Sequence, residues 1–292
     1  MEYTATYTKP ERFPEFEEID IYSSWKMPPF RGRRVEGYTG IREKGRDDVV
    51  SVVSSKYRLI QHQEVYDIIK NFLDVYFRKE YESRLGFSGC RRFPDSGTRM
   101  EWTLVFNEFR YDIECGSISS RFPQLNDTVY CGLKVLNSVD SSIALTLAPY
   151  SERVVCANGM THTLLTKKFK FKHYKDPIDM LINNLPVMMS EISSVYDEII
   201  SHYQSWTKIP IVPENVVDMF ENIKKESNRS YLTKNQSDLI MVDCPDTAWG
   251  LFNVLTEENT YSDRRDMLSK FQQDRNIEQV MKIIVASNMP SM

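Results

Sequence analysis

Ten consecutive residues, Thr166 to Lys175 (TKKFKFKHYK), carry five lysines and no acid, and interleave Phe169, Phe171, His173 and Tyr174. Successive side chains of an extended chain point to opposite faces. Alternating lysines and rings therefore have two outcomes. Either the rings enter a core and leave a solvated cationic face, or cations and rings together meet a single-stranded nucleic acid, lysines on phosphates and rings on bases. The second outcome nominates Lys167, Lys168, Lys170, Lys172 and Lys175 as phosphate contacts, and Phe169 and Tyr174 as stacking platforms. Arg153 lies nearby in sequence, and an N-terminal cluster adds Arg31, Arg33 and Arg34, followed by Arg42, Lys44 and Arg46 against Glu36 and Glu43. Arg91, Arg92 and Arg99 form a third basic group.

Other chemistry is poorly represented. No GxxxxGK[ST] or GxGxxG cradle is present, which removes the usual signatures of nucleotide hydrolysis and dinucleotide redox chemistry. The histidines are His62, His162, His173 and His202, without HExxH or paired spacing, so they read as polar surface residues. GxSxG is absent, leaving Ser88 and Ser117 as loop serines. Cys156, in RVVCANGM, reads as a small buried cysteine before it reads as a nucleophile. Glu257 with Glu258, and Asp243 with Asp246, are spaced to hold magnesium, but acids at helix starts also serve as caps and dipole partners. A nuclease reading uses Glu101, Asp112, Glu114 and Asp140, because period two puts Asp112 and Glu114 on one strand face. No cofactor and no catalytic metal are expected.

The elements that must position these residues follow from periodicity. Residues 1–47 are rich in Pro, Glu, Tyr and Arg without steady period, and read as an arm that packs on its own domain or on a neighbour. Its Phe13, Phe16, Tyr22, Trp25, Met27 and Phe30 are the basis for expecting a homo-oligomer. Residues 48–175 read as an α+β core. Two short strands lie in DDVVSVVSSKYRLI, and a helix over 62–81 carries Val65, Ile68, Ile69, Phe72, Leu73 and Tyr76. An antiparallel meander follows, with Trp102, Leu104 and Phe106 on one strand, Val129, Cys131, Leu133 and Val135 on the next, and a turn at NSVDSS before Ile143, Leu145 and Leu147. Residues 176–292 read as a helical C-terminal region, opened by a long stripe from Ile178 to Trp206 that includes Ile182 and that Pro186 should kink if it is continuous.

A length of 292 residues with 41% hydrophobic and 12% aromatic content is ample for a folded core. A formal net charge of −4 means that nucleic-acid binding needs a local patch. Five separated cysteines without CxxC predict reduced thiols. The N-terminus has no basic start followed by an apolar run, and no stretch is long and apolar enough to span a membrane, so a cytoplasmic protein is expected.

Three segments, VVSSKYRLIQHQEVYDII, LKVLNSVDSSIALTLAPYSERVVCANGM and DTAWGLFNVLTEENT, together resemble a phage- and plasmid-associated family of unknown function, numbered 932. Arg153 to Met160 is the most specific piece and the Thr247 to Asn259 helix the second. The family helix usually runs on to a histidine after its Thr-Glu pair, whereas Thr256 and Glu257 here lead to Glu258, Asn259 and Thr260. The resemblance implies a home on a virus, plasmid or integrated element, and carries over no catalytic residue. By fold-level analogy alone, a helix, a meander and a long helix are similar to the layout of strand-annealing recombination proteins. The expected function is single-stranded nucleic-acid binding or strand annealing. Two alternatives are a metal-dependent nuclease and an interaction or anti-defence protein that binds a host protein, the latter fitting the acidic stretch Glu15 to Asp20.

Overall fold

The structure is a computed structural model and describes residues 13–22, 34–80, 87–92, 97–114, 126–153, 158–161, 169–174, 176–261 and 267–288. Its elements follow the α+β order expected. Three strands come first: β1 (Phe16–Ile19), β2 (Tyr38–Glu43) and β3 (Val49–Ser54). Helix α1 (His62–Glu80) precedes β4 (Phe87–Arg92), β5 (Arg99–Glu114), β6 (Asn126–Ser138), β7 (Leu145–Arg153), β8 (Asn158–Thr161) and β9 (Phe169–Phe171). The remainder is helical: α2 (Pro177–Trp206), α3 (Pro213–Ser227), α4 (Lys234–Asp243), α5 (Ala248–Tyr261) and α6 (Met267–Ser287). No helix among the described residues is long and apolar enough to cross a membrane.

One sheet has the order β1-β2-β3, and the other β4-β5-β6-β7-β8 with β9 also on β7. The chain divides into two compact units, one of residues 1–104, 134–147 and 168–191, the other of 105–133, 148–167 and 192–292. Strands β5, β6 and β7 and helix α2 run from one unit into the other.

In the first unit, β2 pairs antiparallel with both β1 and β3. Two strands of this sheet thus come from the N-terminal arm. Phe16, Ile41 and Val53 bury one face of it together with Tyr57 and Val139. The side chain of Gln61 completes the outer edge of β1, accepting from the Phe16 amide at 3.1 Å and donating to the Phe16 carbonyl at 2.8 Å. Gly40 is required by close approach, since a Cβ there would meet Ile21 Cγ2 at 2.9 Å. In α1, Val65, Ile69 and Leu73 are fully buried at steps of four, as the apolar spacing predicts.

The NSVDSS turn is built by its own side chains. Ser138 Oγ accepts from the Ile143 amide at 3.0 Å and donates to the Ile143 carbonyl at 2.9 Å, while Asp140 Oδ1 accepts from the Ser142 amide at 3.0 Å. Such short polar side chains supply the local bonds that close a turn.

In the second unit, the C-terminal half of α2 docks on strands through buried hydroxyls. Tyr196 donates to the Gly132 carbonyl at 2.7 Å, and the hydroxyls of Tyr203 and Ser151 lie 2.6 Å apart. Tyr203, Trp206, Trp249 and Phe252 form an aromatic cluster with centroid separations from 4.8 to 5.5 Å. The stripe on α2 is narrower than its apolar sequence, because Ile182 is 47% exposed. Pro186 lies inside the helix and is exposed.

Candidate functional site

The basic segment enters the fold as β9, which pairs antiparallel with β7 through Phe171 to Leu145, Lys170 to Thr146 and Phe169 to Leu147. Period two then sorts its side chains. Phe171 and His173 are buried, at 4% exposure each, and Phe169 is half-buried. Lys170, Lys172 and Tyr174 are exposed, Tyr174 to 50%. The rings of Phe171 and His173 thus join the core, while two lysines and one aromatic ring face outward along the same line. Lys167, Lys168 and Lys175 lie outside the described residues, as do Arg31 and Arg33. Arg153 closes β7.

A second strip of chain is fastened beside this line. The Arg58 amide donates to the His173 carbonyl at 2.9 Å, and a ring nitrogen of His173 returns a bond to the Arg58 carbonyl at 3.2 Å. Tyr57 stacks on the His173 ring at 4.9 Å and 10°. Lys56 and Arg58, on either side of Tyr57, are exposed. Neither residue stands among the cations that the sequence singles out. The signal was present, because Lys56-Tyr57-Arg58 repeats the cation-ring-cation alternation of Lys170-Phe171-Lys172.

The buried rings are electrically neutral parts of the floor. Burial pulls His173 down to about 4, against the opposing pull of the Arg58 carbonyl and the Asp140 carboxylate. His62, fully buried, is likewise lowered to about 4 by desolvation. One of its ring nitrogens bonds the Gly97 carbonyl at 3.0 Å and the other faces Asn137 Nδ2 at 3.0 Å, so the neutral ring donates to Gly97 and accepts from Asn137. Burial pushes the Tyr57 phenol up, helped by Asp140 and Glu18.

The cations divide into two groups. Every described cation of the N-terminal cluster is held by an acid: Arg34 by Asp20 at 2.7 Å, Arg42 by Glu17 at 2.7 Å, Lys44 by Glu15 at 3.0 Å and Arg46 by Glu43 at 3.0 Å. The acidic stretch Glu15 to Asp20 is thereby the counter-charge of the arm's own arginines and lysine. Lys56, Arg58, Lys170 and Lys172, by contrast, form no ion pair among the described residues.

The acids of the nuclease reading stand apart in their bonding. Glu101 pairs with Lys134 at 3.2 Å and Asp140 with Arg99 at 3.5 Å, while Asp112 accepts from Thr128 Oγ1 at 2.7 Å. Among the described residues no three acids, histidines or cysteines are grouped to hold a metal ion. Asp243 is buried near the end of α4, and Cys131 is buried with its thiol pushed up by desolvation.

The two most specific pieces of the family resemblance meet in the second unit, where α5 packs against β8 and also against α6. The contact of α5 with α6 is polar as well as apolar. Asn253, Thr256 and Asn259 on α5, and Gln273, Asp274 and Glu278 on α6, are all buried, and Asn259 Nδ2 donates to Asp274 Oδ1 at 2.7 Å. Gln273 Nε2 donates to Gln236 Oε1 on α4 at 3.0 Å. Asn259 stands in the stretch where the family helix usually carries its histidine. Comparison with known families matches residues 49–283, most of the chain, to the family described as "Domain of unknown function (DUF932)". The chain belongs to this family. The match begins at β3 and ends within α6, so the DUF932 region takes in β9, the Lys56 to Arg58 strip and the α5/α6 polar contact. Strands β1 and β2 precede it. No curated protein matches the chain.

Proposed function

We propose that this protein binds single-stranded nucleic acid without catalysing a reaction, across the face formed by Lys56, Arg58, Lys170, Lys172 and Tyr174. The observation that carries the reading is the contrast between paired and unpaired cations. The arm's described arginines and lysine are neutralised by neighbouring acids, and an ion pair that is already made gives little to a partner. Four cations around one exposed tyrosine keep their charge for solvent or ligand, and their field persists locally because charges beyond about 8 Å are largely screened at physiological salt. Lys170 and Lys172 are two residues apart on one strand, about 7 Å along the chain. An extended polyanion can therefore follow the strand while Tyr174 offers a ring to a base. The family resemblance suggests the context of a mobile element, and with it a cytoplasmic site of action; a role in strand annealing rests on fold-level analogy alone.

The test is fluorescence anisotropy with a labelled single-stranded oligonucleotide at two salt concentrations. Each phosphate contact contributes a slope of about −0.7 in log affinity against log salt for single strands. Replacing Lys170 and Lys172 by Glu is expected to weaken binding and to flatten that slope by at least two contacts' worth. Tyr174→Ala is expected to cost roughly 1–3 kcal/mol with little change in slope, as loss of a stacked base does. No binding by the unmodified chain at low salt refutes the reading, and binding that survives the double reversal moves the site away from β9.

A further inference from the structure

Helices α3 and α4 form a hairpin whose connection, residues 228–233, is only six residues long, so the two are antiparallel neighbours. Both ends of the connection are fastened. Asn228 adopts the left-handed conformation at φ 55° and its amide bonds the Lys224 carbonyl, while Thr233 and Gln236 make a reciprocal capping box at the start of α4. Between the helices lies a groove of about 390 Å³. Val217, Phe220, Leu232 and Met241 supply its apolar lining. Met241 is 41% exposed, and Val242, next to it and outside the groove, is 73% exposed. The apolar surface thus continues past the cavity, which suits a macromolecular partner better than a small ligand enclosed in it.

The charged rim identifies the partner. Glu221 and Lys224 on α3, and Lys234 and Asp238 on α4, are all exposed at the groove. Spacings of three and four residues would let each pair bridge along its own helix. Neither pair does so, and none of the four forms an ion pair among the described residues. Two acids and two bases around an apolar strip are the pattern of a self-complementary surface, because across a two-fold axis a patch must meet its own copy. A partner of uniform charge would find half of this rim repulsive.

We infer that the α3/α4 hairpin is a homodimer interface, in which a second copy of this chain lays its own hairpin across the groove. Met241 and Val242 then pack at the centre, and Lys224 and Lys234 meet Glu221 and Asp238 of the other copy. The hairpin is preformed by its caps, so docking orders little that is not already ordered. Its face is small: 15 residues of α3 and 10 of α4 are about 22 and 15 Å of helix. A standard interface buries about 800 Å² per partner, so the association is expected to be weak, with a dissociation constant of micromolar order. The inference is independent of the nucleic-acid reading.

Sedimentation velocity of the full chain over a range of about 1–200 μM, spanning micromolar affinity, tests it. The unmodified chain is expected to shift from monomer to dimer with concentration, more weakly at high salt. The double variants K224E/K234E and E221K/D238K are each expected to sediment as monomers, since their patches are of one sign, with affinity reduced by more than about tenfold. Mixed in equal amounts, the two variants are expected to recover a dimer, an outcome that loss of folding cannot produce. Val242→Asp, at a side chain that folding leaves in solvent, is expected to favour the monomer as well. A strict monomer at every concentration overturns the inference, as does a dimer that ignores the reversals or a mixture of folded variants that stays monomeric.

Discussion

His62 and His173 show how the same residue type can be made structural. Both are nine-tenths or more out of solvent, and in both desolvation lowers the pKa to about 4 from an unfolded value near 6.5. The unfolded chain therefore binds more protons than the folded one between those limits. The linkage makes stability rise with pH across that window: the contribution is complete above about 6.5, declines as pH falls, and is fully lost by about 4. Each imidazole accounts for on the order of 3 kcal/mol over the window. Thermal melts at intervals from pH 7 to pH 4 should show this fall, and His62→Asn should be less stable at pH 7 yet have a flatter profile below it. A melting temperature that ignores pH in that range would contradict the assignment. Nothing in the sequence distinguishes His62 and His173 from His202, which sits half-exposed on α2. The difference comes from partners far along the chain, Gly97 and Asn137 for one, Tyr57 and Arg58 for the other.

Among the elements, periodicity was the reliable guide wherever one side chain in two or three meets a core. Helix α1 and the alternation of β6 were legible because burial repeats along them. Strand β5 was legible only as far as Phe106. Its buried set runs Trp102, Leu104 and Phe106, then Phe109 and Ile113, so the phase changes from even to odd within the strand. One extra residue shifts every later side chain to the other face, and no residue type announces the shift. The start of α4 was not anticipated, although Thr233 and Gln236 have the spacing of a capping box. Thr233→Ala should lower stability by about 1 kcal/mol, measured by denaturant titration, and Thr233→Ser should recover most of it. An unaffected alanine variant would mean that the hairpin is held by its apolar contacts alone.

For the whole molecule, the two proposed surfaces belong to different units: Lys170 and Lys172 to the first, the α3/α4 hairpin to the second. Reversals at sites that share no partners add independently. K170E/K172E should lose oligonucleotide affinity and keep the concentration dependence of the dimer. K224E/K234E should lose the dimer and keep its affinity for an oligonucleotide too short to reach a second protomer. A four-fold variant should show both losses, with helix content by circular dichroism unchanged throughout. Loss of both properties from either pair alone would show that one surface serves both.

The sequence by itself determined the class of the fold, the family and the alternation of cations with rings. Each of these is set over short range, by period two in strands, by a stripe in helices and by consecutive residues in a motif. It placed Lys170, Lys172 and Tyr174 in one basic segment and nominated the arm's arginines as its helpers. Only the tertiary structure separated the two groups, because an ion pair such as Arg42 to Glu17 or Lys44 to Glu15 joins residues more than twenty positions apart. The same holds for Lys56 and Arg58, brought beside β9 by a backbone bond to His173 across more than a hundred residues. Whether a charge is free depends on where the chain returns, and local pattern contains no record of that.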